Sequence, residues 1–247
     1  MVSIKTLSVS LVLLIGVSAG SVIGAYTKKP SKVRTEFTAD VVNAWLKAGA
    51  LTGYLAHGKL GGWHYLRKRP EGVHSLPVFV WTKYKPEVMA QLPMPSVAFA
   101  MSLGGTMIDN AGLDALARFK YLRSLDISHT KVTDAGLNKL AAIASLRSLD
   151  MGASYVTDAG LRVLSKIEHL RNFYFGSTAV TDKGVAELTN NKNMRILYLY
   201  NTKVTDAALK ALAKLENLKI LYLSKTKVTE EGVAGLRQAR PELRIEN

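Results

Sequence analysis

The sequence predicts an α/β solenoid of stacked strand–helix units behind a small N-terminal cap. Two observations predict it. The first is a 24-residue step that relates Leu122, Leu146, Leu170, Met194 and Leu218. The same step relates Leu125, Leu149, Phe173, Leu197 and Leu221, and again Ile127, Met151, Phe175, Leu199 and Leu223. The second is that, inside each unit, the apolar spacing changes from alternation to helical spacing. Such units bury a core only by stacking on one another.

The chain opens with a different kind of segment. From Leu7 to Ala25 no residue is charged, and Val17-Ser18-Ala19 offers the small residues at which a signal peptidase cuts. Residues 1–25 are therefore expected to be a signal peptide, sending the chain to the periplasm, cell envelope or cell exterior. The alternative is a retained anchor, since Leu7–Ala25 is almost long enough to span a bilayer as a helix. Lys28, Lys29, Lys32 and Arg34 make 26–35 a basic linker. With an anchor, that charge would hold the following domain in the cytoplasm.

Residues 36–96 do not follow the repeat. Ala39–Lys47 reads as a short amphipathic helix and Pro77–Trp81 as a strand, with a Gly- and Lys/Arg-rich stretch at Gly58–Gly72 between them. The end of a solenoid needs its apolar cross-section covered, so this module is expected to cap it. Residues 97–247 hold about six repeats, the first a weaker copy marked by Met101, Leu103 and Thr106. In each repeat a short strand such as Leu122–Ile127 is followed by a Thr and then by a helix start. Thr133 suits an N-cap, and Asp134 in the first turn complements the helix dipole. Ala208 replaces the repeat glycine, and Asn191 stands where Ile143, Ile167 and Leu215 stand in other copies. The run Asn190–Asn193 predicts a shortened or frayed helix in that repeat.

The pattern L-x-x-L-x-L-x-x-T-x-V-T-D-A-G-L-x-x-L-A, carried at Leu122–Ala141 and its four successors, resembles the leucine-rich-repeat family. The variant is the one with Thr where the commonest repeats carry Asn. The resemblance covers Val97 to Asn247 and implies a curved parallel sheet inside with helices outside, and a binding module rather than a chemistry. Similar repeats occur in adaptors for ubiquitin ligation, but no F-box is recognisable in this chain.

Composition excludes several classes. There is no cysteine, so disulfides, thiolate metal sites and cysteine nucleophiles are ruled out. The net charge is +14, densest ahead of the repeats: residues 1–96 hold 12 Lys/Arg against 4 Asp/Glu, and residues 97–247 hold 21 against 15. That excess favours an acidic partner or an anionic surface. The five histidines, His57, His64, His74, His129 and His169, form no compact ligand spacing. Gly61-Gly62 and Gly104-Gly105 lack the Lys-Ser/Thr of a phosphate loop. The series Asp134, Asp158, Asp182 and Asp206 looks like a carboxylate ladder, and capping of each repeat's own helix explains it without a metal. No catalytic residue, metal ligand or cofactor is therefore expected.

Side chains alternate across a strand, so three columns should line the concave face. The middle one reads Ser102, Asp126, Asp150, Tyr174, Tyr198 and Tyr222. Beside it run Ala100 to Ile196 and Ile220, and Gly104 to Tyr200 and Ser224, and along the edge stand Arg123, Arg147, Arg171, Arg195 and Lys219. The expected function is noncatalytic recognition of a protein or peptide by Tyr174, Tyr198, Tyr200, Tyr222, Ile196 and Ile220, bordered by Arg171, Arg195 and Lys219. The tyrosines also suit a purely structural ladder across the sheet. The alternative function is a basic binder of an anionic polymer, nucleic acid or acidic glycan. It would use the Arg edge and the patch Trp63, His64, Tyr65, Arg67, Lys68 and Arg69.

Overall fold

The structure is a computed structural model that describes residues 36–57, 63–71 and 75–247. The expected signal or anchor segment and the basic linker lie outside the described residues. Among those residues no helix is long and apolar enough to cross a membrane.

The chain begins with α1 (Ala39–Lys47), β1 (Leu51–His57), β2 (Trp63–Leu66), β3 (Ser75–Val80) and the short α2 (Pro86–Met89). Helix α1 starts where the Thr38 side chain accepts from the Val41 amide, and it buries Val41 and Trp45. Trp45 stacks on Phe79 with ring centroids 3.9 Å apart and meets Phe99 and Phe119 edge-on or tilted. Its indole N–H donates to the Pro93 carbonyl at 2.9 Å, so the ring is buried with its one donor satisfied. The alternation in 51–66 forms two strands, where sequence reasoning had picked out only one strand in the module.

The repeats supply β4 (Phe99–Ser102), β5 (Leu122–Asp126), β6 (Ser148–Asp150), β7 (Asn172–Tyr174), β8 (Ile196–Tyr198), β9 (Ile220–Tyr222) and β10 (Arg244–Glu246). All ten strands form one sheet in the order β10-β9-β8-β7-β6-β5-β4-β3-β1-β2. Strands β3 to β10 are mutually parallel, and β1 runs antiparallel to both β3 and β2. The leading module thus shares its sheet with the repeats, and one apolar core runs from Val41 and Trp45 to Ile245. On the outer side lie α3 (Asp158–Ser165), α4 (Asp182–Leu188), α5 (Asp206–Leu212) and α6 (Glu230–Ala239). The two earlier outer segments, Gly112–Leu116 and Asp134–Ala142, wind as 3-10 helices.

The carboxylate series does more than cap its own helices. Asp134 accepts from the backbone N–H and the hydroxyl of Thr157 in the next repeat, at 2.9 and 2.6 Å. Asp158 does the same to Thr181, Asp182 to Thr205 and Asp206 to Thr229, all between 2.6 and 2.8 Å. Each of these threonines in turn accepts an amide of its own helix. The expected capping is therefore present, and the aspartates add an inter-repeat ladder to it. Glycine makes room for the carboxylate: a Cβ on Gly160 would lie 2.3 Å from Asp134 Oδ1, and one on Gly184 2.4 Å from Asp158 Oδ1. Ala208 is the exception; it is buried, and the Asp182–Thr205 bonds still measure 2.7 Å.

The first link differs in chemistry. Asn110 accepts from the Thr133 N–H, which turns its amide NH2 toward the Thr133 hydroxyl. Thr133 accepts that donor and makes no side-chain bond to its own helix, and the segment after it is the 3-10 helix Asp134–Ala142.

The threonines that replace the usual Asn close the inner turn. Thr130, Thr178 and Thr202 donate to the carbonyl three residues earlier at 2.6–2.7 Å, and Ser154 and Thr226 do likewise. The residue before each has positive φ: His129, Ala153, Ser177, Asn201 and Lys225, between 51 and 59°. Four of their amides bond the next repeat, as in His129 N–H to Gly152 O at 2.8 Å.

Asn191 does not fray its repeat. Helix α4 is as long as α5 at 7 residues, and Asn191 is 1% exposed. Its amide donates to the carbonyls of Ile167 and Leu170 in the preceding repeat. Arg240 serves a similar purpose two repeats on, where its buried guanidinium bonds the carbonyls of Ala213, Leu215, Glu216 and Leu218.

Removing one ladder carboxylate strands a donor pair on the next repeat. Asp158→Ala is expected to cost about 1–3 kcal/mol in denaturant melts, the usual penalty for unsatisfied groups. Asp114→Ala, which breaks an ion pair whose carboxylate is exposed, should cost at most about 1 kcal/mol. Equal losses would remove the ladder's special role.

Candidate functional site

The sheet register brings the three concave columns together. Ser102, Asp126, Asp150, Tyr174, Tyr198 and Tyr222 are successive partners across β4 to β9, and Glu246 extends the line. The face divides into an acidic half and an aromatic half.

In the acidic half Asp126 accepts from the hydroxyl of Ser102 at 2.6 Å and from the amide and hydroxyl of Ser128 at 3.0 and 2.7 Å. Asp150, on the next strand, accepts from the Gly152 amide at 2.9 Å. Burial, and then the charge of Asp126, push the Asp150 carboxyl up to about 8, against the pull of the Gly152 N–H.

The aromatic half is a packed stack. Tyr174 and Tyr198 lie 4.7 Å apart between ring centroids, and Tyr198 and Tyr222 stack at 3.8 Å. Tyr174 is 5% exposed, Tyr198 8% and Ile196 7%, while Ile220 and Tyr222 are half-buried against them. A hydrogen bond joins the Tyr198 and Tyr222 hydroxyls, and burial raises both phenols above the ordinary tyrosine value. Tyr174, Tyr198 and Ile196 thus form the base of the patch. Its accessible surface comes from Tyr222, Ile220 and Tyr200, the last with the Lys225 ammonium 5.1 Å from its ring centroid.

The basic edge is a true row. The Arg147 amide bonds the Arg123 carbonyl, Arg171 bonds Arg147, Arg195 bonds Arg171 and Lys219 bonds Arg195, at 2.7–2.9 Å. Arg171, Arg195 and Lys219 are exposed, and Arg123 and Arg147 are half-buried. The side chains of Arg123 and Arg147 donate only to carbonyls, those of Ser145 and of Ala144 and Leu146. Burial and the flanking charges of Arg123 and Arg171 lower the pKa of Arg147. A groove of about 400 Å³ runs along the row, lined also by Ile196 and Ile220 and by Leu76 from β3. Leu76 belongs to the module outside the repeat, so no sequence register could have placed it there.

In the other predicted patch two polar groups are already engaged. The Tyr65 hydroxyl donates to the Thr52 carbonyl, and Arg69 pairs with Glu36 at 3.3 Å. His64, Arg67 and Lys68 are exposed. His74 lies outside the described residues. Among the described residues no three His, Cys, Asp or Glu side chains cluster to hold a metal.

Residues 120–141 match a family model described as Leucine Rich repeat. A comparison with curated proteins returned no match. Among solved structures the chain is similar to an internalin from Listeria monocytogenes, with 22% identity over 60% of this chain and 47% of that one, at a TM-score of 0.47. It is also similar to a leucine-rich-repeat protein from Leptospira interrogans, with 16% identity over 70% and 49% of the two chains, at a TM-score of 0.48. The chain spans about half the length of either. The 24-residue unit and its parallel sheet form a leucine-rich-repeat-like solenoid, and one of its repeats matches the family model directly.

The Asp150 environment carries a pH signature. Its folded pKa lies above the unfolded value, so the folded state holds an extra proton between about pH 4 and about pH 8. Through this group, stability is present below that window and lost as pH rises through it. Denaturant midpoints at about pH 5 and about pH 9 should fall more with pH in the natural chain than in Asp150→Asn. Parallel lines for the two would contradict the assignment.

Proposed function

We propose that this protein is a noncatalytic scaffold, exported from the cytoplasm, that recognises a protein or peptide through the concave face of its repeats. One observation carries the proposal: a tyrosine and isoleucine surface and a row of cations meet on the same half of that face. Solenoids of this kind generally use their concave surface for binding. Tyr222, Tyr200 and Ile220 would touch the partner. Tyr174, Tyr198 and Ile196 would hold those side chains in place, and Arg171, Arg195 and Lys219 would border the contact. Tyrosine supplies large contact area with few rotatable bonds, which suits a binding hot spot. Export rests on the uncharged run Leu7–Ala25 and its small residues.

Tyr200→Ala combined with Tyr222→Ala should leave the fold intact by circular dichroism and weaken binding of the natural partner by more than about 2 kcal/mol. The partner is obtained by pull-down from the native source, and affinity is then measured with the purified component. Undiminished binding by the folded double variant would move the site off this face. Tyr198→Ala, by contrast, should lower stability as well, because its ring lies between two others.

Export has its own test. N-terminal sequencing of the natural protein should find a start near Gly20 or somewhat later, in a fraction outside the cytoplasm. An intact Met1 in the membrane fraction would contradict it.

A further inference from the structure

The groove beside the basic row has a stricter chemistry than a general binding face. Of its cations, Arg123 lies in β5 and Arg147, Arg171, Arg195 and Lys219 stand just ahead of β6 to β9, so they repeat at the strand spacing of about 4.8 Å and span about 19 Å from Arg123 to Lys219. Their backbones are locked to one another by the ladder of amide bonds from Arg123 to Lys219. Among the described residues none of the five forms an ion pair. Glu242 feels the Lys219 charge, but its carboxyl is already bonded to Arg240. A row of like charges at this spacing focuses a positive potential along its length.

The rest of the lining selects among anions. Ile196, Ile220 and Leu76 give the groove aliphatic patches, and Ser148 and Asn172 add small polar ones. No aromatic residue lines it. The tyrosines next to it are stacked at 3.8 and 4.7 Å, which covers both faces of Tyr198 and one face each of Tyr174 and Tyr222. Single-stranded nucleic acid binds by laying bases on open aromatic faces, which this groove does not offer. A peptide can meet both parts of the lining, carboxylates on the guanidinium groups and apolar side chains on the isoleucines.

We propose, resting on the peptide-recognition reading above, that the groove takes an extended acidic peptide segment of the partner. Its carboxylates lie along Arg123, Arg147, Arg171, Arg195 and Lys219, and its apolar side chains lie on Ile196, Ile220 and Leu76. At about 3.3 Å per residue, a span of about 19 Å corresponds to about six extended residues. Alternate side chains of such a strand face opposite ways, which lets one set meet the cations and the other the aliphatic side. The long arginine arms take up the mismatch between peptide and strand spacing.

The test is fluorescence anisotropy with labelled probes and the folded mature chain. The probes are a peptide carrying six alternating Glu and Leu residues, its Gln/Leu counterpart, an oligothymidylate and a fluorescein-labelled heparin fragment. The expected result is saturable binding of the Glu/Leu peptide, at least tenfold weaker for Gln/Leu. The variant Arg171→Gln with Arg195→Gln should lose at least tenfold, while Lys203→Gln with Lys227→Gln on the other edge should lose nothing; circular dichroism verifies both folds. Three results would overturn the proposal. One is no saturable binding of the Glu/Leu peptide. Another is binding that survives Arg171→Gln with Arg195→Gln. The last is tighter, arginine-dependent binding of the oligonucleotide or heparin, which would make the groove a polyanion site. If the peptide fails while the Tyr200/Tyr222 variant still releases the natural partner, the concave face stands as the binding surface and only the acidic-peptide assignment falls.

Discussion

From the second repeat to the fifth, each unit is fixed to the next by a carboxylate that accepts two hydrogen bonds across the gap. Asp134, Asp158, Asp182 and Asp206 hold the backbone amide and the hydroxyl of the following threonine, and that threonine caps the helix beginning there. Apolar packing alone would let neighbouring units slide, since the hydrophobic effect has no direction. The ladder supplies direction. Four such links, each involving groups that cost about 1–3 kcal/mol when left unsatisfied, are comparable with the whole net stability of a domain, about 5–15 kcal/mol.

A second set of cross-repeat bonds sits just after each short strand, ahead of the ladder in sequence. There the positive-φ residues from His129 to Asn201 send their amides into the following unit. With these bonds after each strand and the amide ladder from Arg123 to Lys219 ahead of it, the concave columns stay in register, and side chains 24 residues apart in sequence come to rest beside each other. The tyrosine stack and the basic row are both products of that registration. A stack with centroids 3.8 Å apart cannot form unless the strands beneath it agree on position. Fixing cations on a rigid sheet also lowers the ordering cost of binding an extended chain.

Much of this was legible from the sequence. The 24-residue step located the strands, because a core leucine such as Leu149 must recur wherever a strand recurs, and alternation then assigned the concave columns to their neighbours. Two kinds of feature were not legible. The bonds of Asp134 and Asn191 to other repeats depend on how far one unit is offset from the next, which a single repeat does not encode; Asn191 therefore read as a break when it is a lock. The burial of Tyr174 and Tyr198 depends on the rings stacking closely enough to hide one another, so exposure could not be read from their position on the open face. In the leading module there was no repeat to amplify a weak signal, and the alternation in Leu51–His57 and Trp63–Leu66 went without a strand assignment.

The ladder is tested most directly by native-state hydrogen exchange at the threonine amides, read by NMR on the intact chain. Thr157, Thr181 and Thr205 are only half-buried, and in the absence of a specific partner their amides would exchange quickly. If the carboxylates hold them, these amides exchange only through opening of whole repeats, with protection close to that of Leu149 and Phe173 in the sheet. Fast exchange at these three amides, with the sheet protected, would mean that the repeats are held without the carboxylate ladder.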